Sequence, residues 1–157
     1  MKLKGITDED FVNYKKPSMF IAFPNCTFKC EKECGELCCQ NSSLAAADTI
    51  SVPTTAIVDR YLNNPITSAV VCGGLEPMDS YDDLYSFISV LRTKSDDDVV
   101  IYTGYKIGEI ADKITALSAF KNIIVKFGRY VPGQQPHIDK VLGVKLASDY
   151  QYAERIS

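Results

Sequence analysis

Five of the chain's six cysteines crowd into one short stretch, Phe23–Ser42, which reads FPNCTFKCEKECGELCCQNS. Cys26, Cys30, Cys34, Cys38 and Cys39 could do four kinds of chemistry: pair as disulfides, grip zinc, bind an iron–sulfur cluster, or exchange thiol states. Disulfides fit least well, because staples join distant segments and five cysteines in one loop join almost nothing. Tetrahedral zinc wants four Cys or His ligands, commonly as two CxxC knuckles. This stretch has no CxxC, and the chain's one histidine, His137, lies far along. Cys26, Cys30, Cys34 and Cys38 recur every four residues, so a continuous helix would string them along one stripe rather than around an ion. A [4Fe–4S] cluster suits the dense set of soft ligands best. The residues by themselves leave Cys34, Cys38 and Cys39 open as further ligands, bystanders or a redox-sensitive pair.

Other reactive residues have plainer readings. Cys72 ends an apolar run and reads as a small buried hydrophobe. His137 in GQQPHID reads as a solvated loop residue, and a single histidine leaves little room for a Ser–His–Asp or Cys–His site. SDDD at Ser95–Asp98 reads as a solvated turn and strand start, Gly128 as a turn residue and Arg129 as a surface pair. Tyr102 reads equally as core packing or as a ligand contact.

The elements that must position the thiols alternate along the chain. SMFIAF (Ser18–Phe23) is an apolar run of strand length that leads straight into the cysteine stretch. PTTAIVDRYLNN carries Ile57, Val58, Tyr61 and Leu62 at helical spacing behind Pro53. SAVVC (Ser68–Cys72) reads as a buried strand stopped by Gly73–Gly74, and a helix follows from Asp79 or Ser80 to Lys94. DVVIYT (Asp98–Thr103), a helix over Ile107–Leu117 and NIIVKF (Asn122–Phe127) complete the series. Strands that are apolar throughout, separated by helices, predict an α/β fold: an open parallel sheet or partial (β/α) barrel, helices packed outside, with the cysteine-rich loop (residues 24–42) after strand one. Ligands of parallel sheets gather at the carboxyl ends of strands. There the cysteine loop, CGGLEP and TGY should meet.

At 157 residues the chain predicts one domain, residues 1–157. Its 17 Lys+Arg against 20 Asp+Glu, a net charge of −3, leave no electrostatic footprint for nucleic acid. No apolar run has the roughly 20 residues that span a bilayer. The N-terminus places Asp8, Glu9 and Asp10 where a signal peptide is apolar, so a cytoplasmic location is expected.

With these residues in order, a family resemblance emerges. CTFKC after an apolar strand resembles the C-x3-C-x2-C cluster loop of radical S-adenosylmethionine (SAM) enzymes, and CQN (Cys39–Asn41) resembles the third-cysteine segment of the proteins that activate anaerobic ribonucleotide reductase. GGLEP (Gly73–Pro77) is similar to that family's Gly-Gly-Glu-Pro motif, and YTGY (Tyr102–Tyr105) to its aromatic-Thr-Gly-Tyr segment. FGRY and ASDYQ are similar to its closing elements. The chain departs from the pattern in three places. Eight residues instead of two precede Cys39, Leu75 is inserted before Glu76, and Tyr150 stands where the family often has Asn. The resemblance implies Cys26, Cys30 and Cys39 as cluster ligands and Gly73, Gly74, Glu76, Tyr102 and Tyr105 as SAM contacts. It also implies reductive cleavage of SAM, a glycyl-radical enzyme such as the large subunit of anaerobic ribonucleotide reductase as partner, and an electron donor such as flavodoxin. The other classes are a non-catalytic iron–sulfur or zinc-binding module and a thiol redox-sensing interaction protein.

Overall fold

A computed structural model describes residues 1–157. In chain order its elements are β1 (Lys2–Leu3), β2 (Gly5–Asp10), β3 (Ser18–Phe23), α1 (Lys29–Cys34), α2 (Ser42–Ala46), β4 (Ile50–Ser51), α3 (Thr54–Leu62), β5 (Ala69–Gly74), α4 (Tyr81–Arg92), β6 (Asp98–Tyr102), α5 (Ala111–Leu117), β7 (Ile123–Phe127), β8 (His137–Ile138), β9 (Lys145–Leu146) and β10 (Tyr152–Arg155). Six strands form an open sheet in the order β10-β7-β6-β5-β3-β2. The four inner strands are parallel, as their unbroken apolar runs require. The two edges, β2 and β10, run antiparallel to their neighbours.

Those edges are what the sequence pattern hides. GITDED and YAER carry charges because each has only one neighbour, and edge strands tolerate or even favour charge. Elsewhere the elements fall close to expectation. The helix expected over Ile107–Leu117 is split, with a 3-10 turn at Ile107–Glu109 before α5. The Lys106 N–H donates to Glu109 Oε2 at 2.8 Å and tightens that first turn.

Both sheet faces are covered, by different means. α3, α4 and α5 pack Ile57, Val58, Tyr61, Leu84, Phe87, Ile88, Leu91, Ile114 and Leu117 against one face, where Cys72 is fully buried as expected. All three lie on that face, as crossovers of one hand dictate. Loops and the small β8–β9 pair cover the other face, bringing Tyr14, Leu142 and Leu146 onto Val71, Val100 and Ile124. His137 departs from the solvated reading: it is half-buried in β8, paired to β9. No helix is long and apolar enough to cross a membrane.

Candidate metal centre

The cysteine loop leaves the end of β3 and lies over the ends of β5 and β6. Its path is pinned by backbone and side-chain hydrogen bonds. Past Gly74, the Leu75 N–H donates to Phe23 O (3.3 Å) and the Glu76 N–H to Asn25 O (2.8 Å), so Leu75 prolongs the β3–β5 ladder. The Thr27 N–H donates to Asp79 Oδ2 at 2.8 Å. At the far end Asn41 Nδ2 donates to Gly74 O at 2.7 Å, fastening the close of the loop to the glycine pair.

All six cysteines are free thiols, and the five in the loop are half-buried. Cys26 Sγ accepts from the Phe28 N–H at 3.2 Å. Burial pushes the Cys26 thiol up to about 11, helped by the carboxylates of Glu76 and Asp79. Burial also raises Cys30, against the Tyr130 backbone N–H and the positive charges of Arg129 and Lys126, and Cys39 lies close enough to Cys30 to repel its thiolate. No three Cys, His, Asp or Glu side chains converge at the spacing of a single ion. Cys34 and Cys38 form a close pair, sulfur to sulfur 2.7 Å, and Cys38, like Cys39, lies close enough to Cys30 for their charges to interact.

Two cavities adjoin Cys26. The larger, of about 330 Å³, is lined by Pro24, Asn25, Thr27, Phe28, Ala45, Leu75 and Asp79 as well as Cys26, and sits at the lower end of small-molecule sites. A smaller one lies among Cys26, Cys30, Glu76, Gly104, Tyr105 and Arg129. Cys26 and Thr27 belong to both walls.

The expected SAM-contact residues divide. Glu76 is buried with 6% exposure and accepts from the N–H groups of Gly104 (2.8 Å) and Met78 (3.0 Å). Burial nonetheless lifts its carboxyl to about 7, outweighing these bonds and one from Thr103. Tyr105 joins the cysteine loop to Asp79: its hydroxyl donates to Asp79 Oδ1 at 2.6 Å and lies 3.4 Å from Thr27 Oγ1, while Lys29 Nζ lies 4.4 Å from its ring centre. Tyr102 does not line either cavity. Its hydroxyl donates to Asn13 O at 2.6 Å and its ring packs with the loop-covered core, so packing is the role the geometry gives it. The glycines answer first to packing. A Cβ on Gly73 would meet the Phe20 ring at 2.9 Å, and one on Gly74, where φ is +83°, would meet the Ala22 Cα at 2.8 Å.

Several site residues escape the sequence pattern. Arg129, expected on the surface, is 1% exposed and pairs with Glu109 through two bonds, Nη1 to Oε2 at 2.8 Å and Nη2 to Oε1 at 2.7 Å. The pairing holds the Glu109 carboxyl down at about 2. Lys126 is buried, donates to Gly128 O at 2.8 Å, and is pulled down to about 8 by burial, with Glu76 and Cys30 pulling the other way. Lys126 sits in an apolar run and Asp79 at a helix start, so neither spacing nor composition marks them.

The donor set fits a thiolate-bound iron–sulfur group. Half-buried thiols ring one loop, backbone N–H groups point at two of the sulfurs, and buried cations lie behind to offset negative charge. Residues 18–145, from the first residue of β3 into β9, match the family model described as a 4Fe-4S single cluster domain. No curated protein and no solved structure matches the chain.

Proposed function

The chain belongs to the 4Fe-4S single cluster domain family, and on that premise we propose that it is a radical SAM enzyme of the glycyl-radical-activating type, with Cys26, Cys30 and Cys39 as its cluster ligands. Cys26, Cys30 and Cys39 would hold the cluster, which would supply the electron for reductive cleavage of SAM at its sulfonium S–C5′ bond. The observation that carries the proposal is the pair of cavities meeting at Cys26, one of them large enough for a small molecule and placed at the carboxyl ends of β3 and β5.

The chain's own residues would divide the work. The Phe28 N–H steadies the Cys26 sulfur, and the Tyr130 N–H does the same for Cys30. Lys126 and Arg129 balance the negative charge of thiolates and sulfides, which otherwise repel one another in a half-buried site. Glu76 has most of its acceptor sites filled by protein donors and keeps capacity for one more, which suits a substrate ammonium. Leu75 and Phe28 supply apolar wall to the larger cavity, and Asp79 holds Thr27 and Tyr105 in place between the two cavities. Gly73 and Gly74 let β5 pack closely on β3, which sets Glu76 at its depth. The radical acceptor is proposed as a partner protein, a glycyl-radical enzyme such as the large subunit of anaerobic ribonucleotide reductase, with a flavodoxin-type electron donor.

The test is anaerobic. The reconstituted, reduced chain should convert SAM to 5′-deoxyadenosine and methionine. Cys26→Ala, Cys30→Ala and Cys39→Ala should abolish both iron binding and turnover, while Cys72→Ala keeps them. Mixing with the partner should give a glycyl-radical doublet in electron paramagnetic resonance. A full cluster with no SAM cleavage in the wild type would favour a non-catalytic iron–sulfur module.

A further inference from the structure

Two of the five loop cysteines, Cys34 and Cys38, face each other. Cys34 is the last residue of α1, and Gly35, with φ +75°, turns the chain back on itself while its N–H caps Glu31 O at 2.9 Å. That reversal returns Cys38 to Cys34, with their sulfurs 2.7 Å apart. Cys34 Sγ also lies 3.2 Å from Glu36 O, over its own turn. The cavity that Cys26 and Cys30 share with Glu76 and Arg129 is lined by none of Cys34, Cys38 and Cys39. Cys34 and Cys38 are half-exposed, and the tip between them carries Leu37 at 94% exposure, so a small reagent can reach the pair.

We propose that Cys34 and Cys38 form a separate dithiol site which a low-molecular-weight disulfide oxidises to an intramolecular disulfide, leaving Cys26, Cys30 and Cys39 to the cluster. The ligand assignment rests on the function proposed above; the pairing of the sulfurs does not. The Cys34 thiolate attacks one sulfur of the small disulfide, forming a mixed disulfide and releasing one small thiolate. The Cys38 thiolate then attacks the Cys34 sulfur, the protein disulfide forms, and the second small thiolate leaves. Two protein thiols give up two electrons and two protons, and the small disulfide becomes two small thiols. The new bond closes the turn directly before Cys39, so the thiol balance of the surroundings is written into the backbone beside a cluster ligand.

The intact, anaerobically reconstituted chain is equilibrated with glutathione mixtures from reduced to oxidised, then blocked with an alkylating reagent and weighed. Cleavage after glutamate cuts at Glu33 and Glu36, so a Cys34–Cys38 bond would join two peptides that are otherwise separate. The expected result is a chain carrying two fewer alkyl groups than the fully reduced one, with those peptides joined, iron and sulfide unchanged, and reversal by excess reduced glutathione. Cys34→Ser and Cys38→Ser should bind iron as the wild type does and stop at a mixed disulfide with glutathione. Loss of iron in either serine variant would make that thiol a ligand and overturn the proposal. So would both thiols staying reduced across the series, or a mixed disulfide that persists in the wild type. If the wild type takes up no cluster, the functional reading fails, while the joined peptides still decide the dithiol.

Discussion

At the scale of single residues, Gly74 and Glu76 show how packing and chemistry share a motif. A glycine pair before an acid suggests room left for a ligand, yet Phe20 and the Ala22 backbone already occupy the space a Cβ would take. Gly74→Ala would add a left-handed backbone penalty to a backbone clash, and should cost about 2–4 kcal/mol in denaturant unfolding. Glu76 adds a pH signature. Its folded pKa, about 7, lies above the 4.5 of the unfolded chain, so its term is fully favourable below 4.5 and is lost as pH rises through 7. The wild type should lose roughly 3 kcal/mol between those limits from this group. Glu76→Gln, though less stable overall because an amide cannot accept from both N–H groups, should show that decline no longer. Unfolding curves of both proteins from pH 4.5 to 8 measure the difference. The Glu76 motif was readable in sequence, whereas its burial was not, because burial depends on how β5 and β6 end together.

At the scale of elements, the loop of residues 24–42 carries few buried groups of its own; α1 and α2 bury no residue. It is held by hooks, and Asn41 to Gly74 is the hook nearest Cys39. Asn41→Leu removes one hydrogen bond, worth about 1 kcal/mol, and does so at a single flexible point. Global stability should therefore change little, while iron retention on challenge with a chelator should fall several-fold relative to wild type. The strand leading into this loop was visible from its apolar run, and the parallel order of β3, β5, β6 and β7 followed from alternating periods. β2 and β10 were not visible, since edge strands carry charge and short antiparallel pairings leave no apolar run. Arg129 reads as a surface residue for a related reason: its partner Glu109 comes from the turn before α5, twenty residues upstream, and only the fold brings them together.

At the scale of the whole molecule, one buried carboxylate ties the sheet's edges to its centre. Asp98, at the start of β6, accepts from Tyr14 and Lys16 after β2, and from Arg155 in β10. These partners hold its pKa below the usual carboxylate value despite burial. Stability from Asp98 is thus present above the unfolded pKa and is lost as pH falls through the lowered one. Asp98→Asn should destabilise the fold by about 2 kcal/mol near neutral pH, less than for a fully buried pair because Lys16 and Arg155 are part-exposed. The cluster itself should survive, since the network lies at the opposite end of the strands from the cysteine loop.

The central claim is that three thiols hold the cluster and leave one iron for SAM. The most direct measurement is the electron paramagnetic resonance spectrum of the reduced, reconstituted chain before and after SAM is added. A spectrum whose g-values shift on addition, with the shift absent in Glu76→Ala or greatly weakened, is the predicted result. An identical spectrum with and without saturating SAM, on a chain carrying a full complement of iron and sulfide, would contradict it.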